Sequence, residues 1–148
     1  MIARSDVVNE SREWLGTPFV HQARLKGIGC DCIGLVGGVG VALGLPSAIA
    51  WLNDHRFMGY GETPNPGPLL DACLEYFLTV PVESVVAGDV LLFRFQRDPQ
   101  HFGIVTRTAP LYVIHAYRPN GHVVENRVDV TWRRRIVKAF RYLEMERF

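Results

Sequence analysis

The run GIGCDCIGLVGGVG, residues 27 to 40, places Cys30 and Cys32 one residue apart, and the chain holds three cysteines in all. Three chemistries compete for such a pair: a disulfide, half of a metal site, or a reactive thiol. The odd count argues against a closed disulfide framework. Residues this close also fail the geometry, because a bridge needs α-carbons about 5.5 Å apart with converging side chains. A chain made in a reducing cytoplasm, with thiols either buried or reactive, is the expectation. For a metal, Cys30, Cys32, His101 and His115 could supply a tetrahedral Cys2His2 set. The Cys-x-Cys spacing is rarer than Cys-x-x-Cys, however, and there is no second cysteine pair. For a reactive thiol, Cys32 is well placed. Asp31 reads as a helix cap, which puts Cys32 in the first turn, where the helix dipole favours thiolate.

A nucleophilic cysteine needs a base, normally a histidine brought close by the fold. The five histidines are His21, His55, His101, His115 and His122. His101 opens one strand-like segment (HFGIVTR) and His115 lies inside the next (LYVIHAY). If these pair as a hairpin across Thr108 to Pro110 with Arg107 opposite Leu111, then His101 faces Tyr117 and His115 faces Gly103. The two imidazoles then share one face as diagonal neighbours, about 7 to 8 Å apart at the backbone. A slip of one residue would separate them. The expected site is thus a base and its orienting group on a sheet against which the cysteine helix packs. Cys30, ahead of the cap, is expected to pack, as is Cys73. Trp14 and Trp51 read as core or groove wall, and His55 and His122 as surface or loop.

These residues need positioning elements. A first helix, capped by Ser5 and stopped at Gly16, carries Val7, Val8, Trp14 and Leu15. Residues 17 to 30 read as loop. The second helix runs from about Cys32 to Leu43, and its four glycines suit a helix pressed flat against a sheet. Residues 46 to 68 read as an irregular excursion. Pro68 opens a third helix bearing Leu69, Leu70, Cys73, Leu74, Phe77 and Leu78, ended before Pro81. From Gly88 the period becomes two, with turn signals between strand-like segments. Helices first, then an antiparallel meander, is an α+β layout in one domain, 1–148.

Composition agrees. The chain has 148 residues, 48% hydrophobic and 21% charged, with formal net charge +1. These are the proportions of a folded domain with no global field to recruit nucleic acid. The basic run WRRRIVKAFR (132 to 141) is expected to be the solvated face of a late strand, or else a site for a polyanion such as teichoic acid or for a partner protein. No stretch approaches the roughly 20 apolar residues of a membrane span, and the charged N-terminus is unlike a Sec signal.

The segments WLGTPFVHQ, GCDCIGLV, GVALGLP, AGDVLLF, HFGIVT and VIHAY resemble the NlpC-type cysteine peptidases. The resemblance is nearest to the branch encoded in tail-gene clusters of phages and gene transfer agents, and it runs from about Trp14 to Tyr142. It implies a papain-like α+β fold, N-terminal helices on a C-terminal antiparallel sheet, cleaving the peptide stems of peptidoglycan without a cofactor. Carried over by position, Cys32 is the nucleophile, His101 the general base and His115 the group that orients it. The sequence departs at FVHQ, where many relatives have tyrosine in place of Phe19. His21 or Gln22 then stands as second oxyanion donor, and Asp31 could touch substrate amines as well as cap the helix. Expected partners are the stem peptides and tail hub or tail-tip proteins, with no nucleic acid and no membrane insertion. Synthesis in the bacterial cytoplasm and delivery in a phage-like tail to the target cell wall follow from the same reading. The alternatives are a non-catalytic tail module keeping the fold, or a Cys/His metal-binding protein.

Overall fold

The computed structural model describes residues 1–54, 66–95 and 98–147. Helix α1 spans Arg4–Glu13. Its cap is Ala3, two residues before the expected Ser5, because Asp6 Oδ2 accepts the Ala3 N–H at 3.1 Å and does the capping from inside the first turn. The segment expected to be loop forms a small ribbon, β1 (Arg24–Leu25) with β2 (Gly29–Cys30). Helix α2, Cys32–Ala42, is buried from Cys32 through Gly40, with Asp31 as its cap.

Glycine lets this helix lie flat. A methyl at Gly38 would collide with the ring of Trp14, and one at Gly34 would meet the carbonyl of Ala23. The expected excursion after residue 46 instead begins with helix α3, Pro46–Leu52, whose proline takes a first-turn position that needs no N–H donor. Helix α4 opens at Pro66, two residues before expectation, and ends at Tyr76. Phe77 and Leu78 therefore belong to a strand, β3 (Phe77–Val80). Phe77 is drawn there by ring contacts with Trp51, Phe140 and Tyr142.

The remaining strands are β4 (Val90–Phe95), β5 (Asp98–Thr108), β6 (Leu111–Ala116), β7 (Val123–Arg127) and β8 (Ile136–Tyr142). All pairings in the six-stranded sheet are antiparallel, in the order β3-β8-β4-β5-β6-β7. The basic run divides at its middle. Val130–Arg133 form a helical turn, α5, capped by Asp129, and only Ile136 onward is strand. Arg133 and Arg134 are exposed beside that turn. Arg141 is buried on Asp89, with bonds of 2.7 and 2.9 Å that tie the start of β4 to β8.

Two apolar clusters lie on opposite faces of the sheet. Phe102, Ile104, Ile114 and Ala116 join the cluster that includes α2, while Phe93, Val105 and Val113 form the other.

Candidate active site

The β5–β6 hairpin turns tighter than expected. Thr108, not Arg107, faces Leu111, and a bulge between Val105 and Arg107 absorbs the extra residue. Beyond the bulge Val105 faces Val113 and Ile104 faces Ile114, the register that was expected for the histidine end. His101 Nε2 and His115 Nδ1 stand 2.9 Å apart, and both rings are buried. Strand alternation puts them on the face of Phe93 and Val113. The two imidazoles share one face, as expected, and helix α2 packs on the other side of the same sheet, against Phe102, Ile104 and Ile114.

The thiol meets β5 at its backbone. Cys32 Sγ lies 3.8 Å from the carbonyl oxygen of Gln100, the residue before His101, and the N–H of Phe102, the residue after it, also bonds the sulfur. The strand segment that carries the imidazole is thus the one that touches the nucleophile candidate.

A residue that sequence reasoning missed completes the chain of bonds. His115 Nε2 is 2.9 Å from Asn126 Oδ1, on the neighbouring strand β7. With that oxygen accepting, His115 carries its proton on Nε2, and its Nδ1 accepts from the Nε2–H of His101. The bare nitrogen of His101 is then Nδ1. Asparagine in the middle of a strand carries no motif, and only the pairing of β6 with β7 reveals it.

Aromatic rings enclose the pair. The Trp132 centroid is 5.8 Å from His101 and 5.5 Å from His115, and Tyr117 stacks on His115 at 5.6 Å. Phe95 stacks on His101 at 5.4 Å.

Burial governs the electrostatics. It pushes the Cys32 thiol up to about 12, with the Asp31 charge adding to it and backbone N–H bonds opposing. Burial and the Asp31 charge thus act against the thiolate that the helix dipole favours. Burial likewise lowers His101 well below the usual imidazole range, and repulsion from His115 adds to the effect. His115 is lowered by burial too, with its bond to Asn126 opposing. The thiol and the tautomer-fixed imidazole are thus both held toward their neutral forms.

Asp31 organises the loop around this helix start. Its Oδ1 accepts from Gly34 N and its Oδ2 from Gln22 N, both at 2.8 Å, and His21 Nδ1 lies 3.9 Å from Oδ2. Gln22 is exposed and takes the left-handed conformation, φ 64°. The residues FVHQ and the helix start thus share one carboxylate.

The metal alternative loses its donors, because both nitrogens of His115 and Nε2 of His101 are spent on hydrogen bonds. Among the described residues no group of three or more His, Cys, Asp or Glu could hold a metal ion. Cys30 and Cys73 are fully buried in the core, as are Trp14 and Trp51. His122 is exposed, and His55 lies outside the described residues. No helix among the described residues is long and apolar enough to cross a membrane.

No family model matches the chain, and no curated protein does. Solved structures do. An NlpC/P60 family protein from Bacillus cereus superposes with TM-score 0.69 at 20% identity, covering 96% of this chain and 41% of that one. The NlpC/p60 domain of the peptidoglycan hydrolase SagA gives 0.62 at 20% identity, covering 94% and 98%. An N-acetylmuramoyl-L-alanine amidase from Bacteroides uniformis gives 0.57 at 14% identity, covering 94% and 98%. The papain-like α+β fold is therefore the fold of this chain, and the chain spans less than half of the Bacillus cereus protein.

Proposed function

We propose that this chain is a cysteine peptidase or amidase hydrolysing amide bonds in the peptide stems of bacterial peptidoglycan. The observation that carries the reading is the bonded series His101–His115–Asn126, on a strand whose backbone contacts the Cys32 sulfur. The likeness in fold to peptidoglycan hydrolases supports the substrate class.

In this mechanism Cys32 Sγ attacks the amide carbonyl carbon while His101 Nδ1 takes the thiol proton. The developing oxyanion is met by the Cys32 backbone N–H and a second donor from the His21–Gln22 turn. As the tetrahedral adduct collapses, the C–N bond breaks and the imidazolium gives its proton to the leaving amine. Water, deprotonated by His101, then cleaves the thioester and frees the thiol. His115 holds the ring of His101 without adding a negative charge, and Asn126 holds His115. Because the resting pair is neutral, proton transfer and attack occur together.

Delivery as a tail-associated component of a phage-like particle, against tail hub or tip proteins, is the route we propose on the sequence resemblance. Its test is mass spectrometry of purified particles, where absence of the chain rejects it. The hydrolase reading is tested by incubating purified peptidoglycan with the protein and with Cys32→Ala. New stem-peptide ends with the first and a loss of at least about 1000-fold with the second are expected. Equal products from both would reject it.

A further inference from the structure

The geometry points to Arg135 as a carboxylate-binding residue of the site, fixing one acidic end of the peptide substrate beside the His101 wall. The inference rests on the hydrolase reading and names the chemistry that such a substrate must present.

Three observations combine. First, Arg135 Cζ lies over the Trp132 ring at 5.1 Å and over the Phe95 ring at 5.7 Å, and both rings contact His101. With Trp132 itself 5.8 Å from His101, the guanidinium is within about 11 Å of the imidazole. That is the reach of about three extended residues. Second, Arg135 is half-buried, and no carboxylate pairs with it among the described residues. The faces of Phe95 and Trp132 attract the cation and hold its plane while leaving its N–H edges to a ligand. Third, the surroundings are positive. Arg133 and Arg134 precede it, and Arg94 donates from Nη2 to the Arg134 carbonyl at 3.0 Å. The one carboxylate of α5, Asp129, is occupied in capping Trp132 N at 2.9 Å.

An arginine held by two rings in a field of its own sign is preorganised for a planar anion. A carboxylate matches the fork with two parallel N–H···O bonds. Carried on the peptide within three residues of the scissile bond, that carboxylate would bring the carbonyl up to Cys32 in register. A neutral peptide end would leave Arg135 where it is and lose the anchor.

The test compares a stem peptide released from peptidoglycan, as the free acid and with its carboxylates amidated, on the wild type and Arg135→Gln. The wild type is expected to favour the acid through KM by roughly tenfold, and the preference to vanish in Arg135→Gln. Arg135→Lys recovers little of it, since the fork is lost. A preference that survives Arg135→Gln, or no preference in the wild type, overturns the assignment. If the wild type cleaves neither peptide, the hydrolase reading fails by itself. Calorimetric titration of both peptides onto Cys32→Ala then decides the binding claim: acid bound over amide, with loss in Cys32→Ala/Arg135→Gln, upholds it, and equal or no binding overturns it.

Discussion

Asn126 and Cys32 set the terms at the scale of single residues. The bond from Asn126 to His115 decides which nitrogen of His101 is bare, so Asn126→Leu should lower kcat roughly 10- to 100-fold, in the range of an outer positioning partner. Nitrogen-15 spectra of the imidazoles provide the sharper readout: protons on Nε2 of both rings in the wild type, and mixed tautomers in the variant. Unchanged tautomers would remove Asn126 from the chain. For Cys32, a thiol pushed up to about 12 reacts slowly with iodoacetamide at neutral pH, and the rate should keep rising through pH 10. A plateau below pH 7 would reveal a resting thiolate instead. Asp31→Asn deletes the charge that raises this thiol and should speed alkylation at fixed pH, provided the cap survives, which the amide oxygen of Asn permits.

At the level of elements, the glycines of α2 are the points of least tolerance. The obstacle at Gly34 is the backbone carbonyl of Ala23, which cannot swing aside as a side chain can. Gly34→Ala should therefore cost about 1 to 3 kcal/mol and displace the loop that presents Gln22 and Asp31, as read by urea denaturation. A cost near zero would mean the helix and ribbon part freely. The elements also divide what the sequence can reveal from what it conceals. Asp31 and the start of α2 were legible because a cap is a local device. The histidine pairing was legible from alternation, yet its hairpin was misjudged by one residue at the turn and corrected by a bulge that leaves no mark in composition. The run 132 to 141 reads as one strand, but Trp132 and Arg133 follow the Asp129 cap into the helical turn α5, which carries Trp132 over the histidines. Asn126 stayed hidden because its role depends on the pairing of two strands, a tertiary fact. The upward push on the Cys32 thiol was hidden for the same reason, since it comes from burial and the Asp31 charge, which only the folded chain brings together.

For the whole molecule, two buried imidazoles with lowered proton affinity link folding to acidity. The unfolded chain takes up these protons near the ordinary value of 6.5, whereas the folded one resists them. Stability is therefore complete above about pH 7 and declines as pH falls below 6.5, because the unfolded state binds more protons there. Thermal melts from pH 8 to 5 should show Tm falling on the acid side, and the fall should shrink in His101→Gln/His115→Gln. A slope identical in both proteins would assign the acid sensitivity elsewhere. The Asp89–Arg141 pair works at the same scale, since it joins strands 52 positions apart in the chain. Asp89→Asn should cost about 3 to 5 kcal/mol by stranding a buried guanidinium, checked by the same denaturation series.

The strand order carries a lesson about timing. Strand β8, made after the other five strands of the sheet, lies inside it between β3 and β4. A nascent chain halted before Ile136 leaves β3 unattached and β4 with a bare flank, an invitation to stray pairing. The sulfur is made before any strand of this sheet, and the strand that closes its scaffold is made last of the six. A copy that lacks β8 therefore lacks the closed sheet behind that sulfur.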